Sequence, residues 1–93
     1  MPDRVYQLKP QHVADNLDHG FDFSGFGTGD DIASFVVTVP VEITQSTAAA
    51  SSGQVVTVWI QGSAGTHRII VDAVSVAERE ARIEADIVIS DPP

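Results

Sequence analysis

From residue 55 onward, apolar and polar positions alternate along the chain with a period of two. In "VVTVWIQG", Val56, Val58 and Ile60 fall on one face and Val55, Thr57, Trp59 and Gln61 on the other. That spacing is a β-strand with one side turned inward. Gly62, Ser63, Ala64 and Gly65 make a tight connection. "THRIIVDAVSV" follows, apolar on both faces in its middle, as in a central strand. The final stretch, "AEREARIEADIVIS", sets propensity against period. Ala, Glu and Arg favour helix, yet Ala81, Ile83, Ala85, Ile87 and Ile89 alternate with Arg82, Glu84, Asp86 and Val88. An alternation sustained that long outweighs a weak propensity, so a strand is predicted.

The N-terminal half carries the same signal less evenly. In "LDHGFDF", Leu17, His19, Phe21 and Phe23 share one side and Asp18 and Asp22 the other. "SGFGTGDD" is a glycine-rich turn. In "IASFVVTVPV", Phe35, Val37, Val39 and Val41 share a face, and Pro40, which cannot donate to a ladder, places the strand's end or a sheet edge there. "TQSTAAASSGQ" has no core-forming side chains and reads as a mobile loop. Residues 1–16, with Pro2, Pro10 and no sustained period, read as an extended arm; Val13 and Leu17, four apart, allow one helical turn. The expectation is an all-β protein: an arm over 1–16, then a small immunoglobulin-like β-sandwich over 17–90. Arg68 stands where such folds often place the tyrosine of a tyrosine corner, and the only tyrosine is Tyr6, so that device is not expected.

Composition narrows the function. The chain has 93 residues, enough for one domain. It has no cysteine, which excludes disulfides and thiolate metal sites. Its formal charge is −8 and its basic residues number 5, no two adjacent, which disfavours a nucleic-acid surface. No apolar run is long enough to span a bilayer, and "MPDRVYQLKPQHV" does not read as a secretory signal. Protein partners are favoured, without nucleic acid or membrane.

The ordered set "LDHGFDF", "GDDIASFVVTVP", "VVTVWIQGSAGT" and the closing hairpin resembles small virion proteins of tailed bacteriophages, the fiber–tail adaptor or head–tail-region structural proteins. That family shows LDY-x-F-D-W, then GDTI…VTVP, then VTVWLSGGxxGT, then two strands joined by a Gly-Arg turn. The resemblance spans about residues 9 to 89. His19 replaces the tyrosine, Phe23 the tryptophan, Gln61 a small residue and Arg68 an aromatic, while Arg79 or Glu80 stands at the final turn's glycine. It implies an immunoglobulin-like fold and a place in the virion, assembled in the bacterial host cytoplasm.

Candidate chemistry is sparse. Asp30 and Asp31 are adjacent, and neighbours on a strand point to opposite faces, so they suit a turn; a weaker reading is a calcium site shared with Asp22. His12, His19 and His67 have no metal-ligand spacing. No nucleophile elbow surrounds the serines, and no lysine follows the glycines as in a phosphate loop. No enzyme, cofactor or metal is expected. Trp59 is either covered by the arm or a neighbouring strand, or an aromatic anchor between subunits. Ile69, Val71 and Ala73 belong to a central strand or to a buried inter-subunit surface. Arg68 and Asp72 are too far apart along one strand to pair with each other, and are expected to meet partners on adjacent strands or chains.

The candidate interface residues are therefore Tyr6 and Leu8 in the arm, Trp59, Arg68, Ile69 and Val71. The expected function is that of a virion structural adaptor, binding tail, fiber or neck proteins through its arm, strand edges and loops, in several symmetry-related copies. The alternatives are a capsid decoration protein of the same fold and a cellular calcium- or carbohydrate-binding β-module. Deleting residues 1–12 is expected to leave a folded domain that assembles poorly.

Overall fold

The computed structural model describes residues 5–45 and 47–91. Nine strands follow in order: β1 (Val5–Gln7), β2 (Gln11–His12), β3 (Leu17–Asp22), β4 (Ile32–Thr38), β5 (Ile43–Thr44), β6 (Ala50–Ser52), β7 (Val55–Gly62), β8 (Gly65–Ser75) and β9 (Glu80–Ser90). One short 3-10 turn, Ser24–Phe26, lies between β3 and β4, and the described residues contain no α-helix. β9 is a strand along the whole alternating stretch. Tertiary pairing with β8, from Gly65 opposite Ile89 to Val74 opposite Glu80, overrides the helical propensity of its Ala, Glu and Arg residues.

Two sheets form. One has the order β1-β9-β8-β4, with β2 also bonded to β9; the other has the order β3-β7-β5, with β6 also bonded to β7. The central triplets are the G-F-C and B-E-D arrangements of an immunoglobulin-like β-sandwich. Alternate side chains meet between the sheets: Phe21 from β3, Val56, Val58 and Ile60 from β7, Ile69, Val71 and Ala73 from β8, and Ala85, Ile87 and Ile89 from β9. Each fully buried aliphatic side chain contributes about 1.5–3 kcal/mol of transfer free energy, so this layer is the main source of stability.

Four local expectations change. Gln11 and His12 form β2, not a helical turn. The Ala/Ser stretch contributes β6, joined to β7 by a two-residue turn in which Gly53 adopts φ 60°, a left-handed value that favours glycine. β4 ends at Thr38; Val41 lies in the following turn, 94% exposed, and leaves the inward set formed by Phe35, Val37 and Val39. At the β8–β9 turn the left-handed residue is Glu78, φ 67°, directly before Arg79. The position of this turn whose backbone favours glycine is therefore Glu78, one place before Arg79. A side chain in the left-handed region costs about 1–2 kcal/mol, partly offset by glycine's larger unfolded-state entropy. Glu78→Gly is expected to stabilise the fold by roughly 0.5–1 kcal/mol, read as a higher urea midpoint.

Candidate functional site

With no reactive constellation expected, the functional surface must be built from edges, faces and the arm. The arm is docked on its own chain. β1 runs parallel to β9, with Val5, Tyr6 and Gln7 opposite Glu84, Ala85 and Asp86, and β2 continues the pairing, with Gln11 and His12 opposite Ile89 and Ser90. Leu8 N donates to Asp86 O at 2.8 Å and Val13 N to Ser90 O at 3.0 Å. Tyr6 remains 49% exposed at this edge, while Leu8 packs partly against the core.

A polar pin fastens the arm to the opposite sheet. The buried Gln11 side chain sends Nε2 to Ile60 O at 2.9 Å and to Asp15 O at 3.2 Å. With its amide turned that way, Oε1 accepts from Nε2 of the buried His19 at 2.8 Å. Strand β2 of one sheet is thereby linked to β3 and β7 of the other. Burial lowers the His19 pKa below the ordinary imidazole value, a shift that the Asp18 carboxylate opposes and Lys9 reinforces.

The Asp30–Asp31 pair serves the β8–β9 turn. Asp30 Oδ1 accepts from Ala77 N at 2.9 Å, and Asp31 O accepts from Val76 N at 2.9 Å. The Ala77 amide and then the Ser75 hydroxyl hold the Asp30 carboxyl below its ordinary value, with the Arg79 guanidinium 3.9 Å away. Arg79 also donates to Phe26 O. The pair thus closes a turn. Asp22 Oδ1 caps the next turn instead, accepting from Ser24 N at 2.8 Å. Among the described residues no three metal-ligating side chains gather. His67 is likewise internal, with Nε2 donating to Ser63 O at 2.8 Å.

These pKa directions fix the sign of the pH response. For His19 the unfolded chain binds the proton more readily, so stability is full above the ordinary imidazole pKa, about 6.5, and falls as the pH drops below it. Asp30 and Asp86 are also depressed, Asp86 by its hydrogen bond from Arg68. Their contribution is present above the ordinary carboxyl pKa, about 3.9, and is lost as the pH falls towards their lower folded values. The urea midpoint is expected to fall between pH 7.5 and 5.5 and again below pH 4. His19→Gln should flatten the first decline and leave the second.

The remaining predicted residues divide by face. Ile69 and Val71 are both 0% exposed within the sandwich core. They lie on the inward face of a central strand whose other face carries Arg68, Ile70, Asp72 and Val74. Arg68 lies on that outer face directly opposite Asp86, donating from Nε to Oδ1 at 2.8 Å, with Glu84 at 3.4 Å. Asp72 pairs in the same way with Arg82, 2.7 Å away. Both therefore find cross-strand partners, which commits them within the chain. Trp59 is half-buried on the outer face of the second sheet, opposite Asp18. The arm strands β1 and β2 lie along β9, in the other sheet.

What this frame presents outward is edges. Among the described residues, the one strand paired with β4 is β8 and the one paired with β3 is β7. Over residues 11–90, spanning β2 to β9, the chain matches the family model of the podophage GP4 fiber-tail adaptor protein gp77. The chain belongs to this family. No curated protein matches it. The residues within the matched span include Gln11 and His19 of the pin, Asp30 and Asp31 at the turn, and the full core; β1 precedes it. Sequence reasoning missed the pin. The one available signal was His19 itself, an imidazole in the inward-facing set with Phe21 and Phe23, which required a buried polar partner.

Proposed function

We propose that the chain is a non-enzymatic adaptor of the phage virion, joining fiber to tail through protein–protein contacts. The observation that carries this reading is the family match over residues 11–90. The architecture supports it: the sheets end in strand edges suited to main-chain addition, β1 and β3 among them, and an aromatic residue, Trp59, stands half-buried on an outer face, where Trp often anchors interfaces. Tyr6 would act from the arm's exposed side, with Leu8 half-buried beside it, and Arg68 through the neutralised ladder around it. Ile69 and Val71 would act only by holding the core. The adaptor would be present in several symmetry-related copies and enter the particle during assembly in the host cytoplasm.

Particles assembled without the protein test this reading. They are expected to keep filled heads and to lack fibers by electron microscopy, while a tagged copy restores fibers and co-purifies with tails. Fibers retained at normal occupancy on particles lacking the protein would overturn the adaptor role. With Trp59→Ala, fiber occupancy is expected to fall while the urea midpoint stays close to that of the parent protein.

A further inference from the structure

A groove runs between the two sheets along the side where β1 and β3 are the outermost strands. Tyr6 and Leu8 stand on one wall, Gly20 and Asp22 on the other, and Asp18 continues the β3 wall opposite Leu8. Both walls are sheet edges: among the described residues, β1 pairs with β9 alone and β3 with β7 alone. The other side of the sandwich is partly closed, since Ile32 N at the start of β4 donates to Gly53 O in the β6–β7 turn at 2.9 Å. An unpaired strand edge is a template for an added strand.

Charge identifies the kind of strand. Asp18, Gly20 and Asp22 share the outward face of β3, alternating with the inward His19 and Phe21. Neither Asp18 nor Asp22 has an ion pair among those formed by the described residues, whereas Arg68, Arg79 and Arg82 are each already matched with a carboxylate. Among the described residues lining this groove, Lys9 is the one cation. At Gly20, between the two carboxylates, a Cβ would meet only Val55 Cγ1, at 3.5 Å, so the backbone there is uncrowded. A second copy would bring the same acidic excess, −8 per chain, and like charges facing each other suppress a contact.

We propose that the β1–β3 groove receives an extended segment of a different virion protein, with lysine or arginine at alternate positions, which pairs with the β3 edge and sets its basic side chains beside Asp18 and Asp22. This rests on the adaptor reading and gives it a partner chemistry.

The test uses particles. Tyr6 is replaced by photoreactive benzoylphenylalanine, purified virions are irradiated, and the cross-linked segment is identified by mass spectrometry. The expected product joins this chain to a segment of another virion protein with basic residues two apart. Asp18→Lys combined with Asp22→Lys should cut the cross-link yield about tenfold or more, while Val36→Lys on the β4 edge leaves it unchanged. If the double reversal does not fold, Asp18→Asn with Asp22→Asn should give a smaller loss in the same direction. A cross-link to another copy of this chain, one to an acidic segment, no cross-link from incorporated protein, or a yield indifferent to the carboxylates would each overturn the groove assignment. The adaptor reading is scored separately, by the presence of the protein in purified tails and by fiber occupancy, and it survives any of those results.

Discussion

Ile69→Ala is expected to destabilise the protein by about 2–5 kcal/mol, the range for deleting a fully buried aliphatic side chain. Ile69 is 0% exposed in the middle of β8, opposite Ala85 on β9, and faces the side chains of β3 and β7 across the sandwich. Around Ile69 the β8–β9 ladder is unbroken from Gly65 to Val74, so the backbone resists moving inward to refill the space, and the cavity adds to the lost transfer energy. Domains of this size hold about 5–15 kcal/mol in all, so the variant would lose a large share of its stability. The melting temperature should drop by roughly 8–40 °C, at about 4–8 °C per kcal/mol. A urea titration should show a lower midpoint with the slope unchanged. Val36→Thr, on a position 62% exposed on the outer face, is the matched control and should change stability by less than about 0.5 kcal/mol. If Ile69→Ala unfolds like the parent protein but fails to enter tails, Ile69 is a contact residue and the packing of β8 described above is wrong.

The two-residue period made most of the sandwich readable before any coordinates. β7, β8 and β9 lie where alternation placed them, because one face of each is buried and a slip of one residue would expose the whole inward set. The same reasoning placed Asp30 and Asp31 in a turn: adjacent carboxylates diverge, and here one clamps Ala77 while the backbone of the other holds Val76. It was weaker where structure depends on distant partners. β1 and β2 have no period of their own and exist only through parallel pairing with β9, some eighty positions later in the chain. β6 was hidden because Ala50, Ser51 and Ser52 are all exposed and carry no hydrophobic signal; "SSGQVV" held the turn that forms the hairpin. On β8 the pattern left open a central strand or an inter-subunit surface for Ile69, Val71 and Ala73; β8 lies between β9 and β4 with these three buried, while Arg68 and Asp72 pair with Asp86 and Arg82 on the outer face.

Removing residues 1–12 is expected to cost stability first and assembly second, reversing the order that the sequence suggested. The deletion takes away β1, β2 and the Leu8 amide bond to Asp86 O, so β9 becomes an open edge. It also removes Gln11, whose side chain satisfies both His19 Nε2 and Ile60 O inside the sandwich. Orphaning two buried polar groups costs about 1–3 kcal/mol each, so roughly 2–6 kcal/mol is lost before any change in apolar burial. That is comparable to the loss of a core side chain. Gln11→Ala isolates the pin, because it keeps the β1 and β2 backbone while leaving the same two groups unpaired. It should therefore reproduce a substantial part of the truncation's effect. His19→Phe should partly relieve Gln11→Ala, since it removes one orphan, and the coupling between the two substitutions would appear in a double-mutant cycle. Hydrogen exchange gives an independent reading. Amides of β9 should lose protection in the truncated chain, while β4 and its partner β8 retain theirs. A truncated protein as stable as the full chain would show that the arm is an ornament on the surface, and its value to the adaptor would then lie wholly in what it touches in the particle.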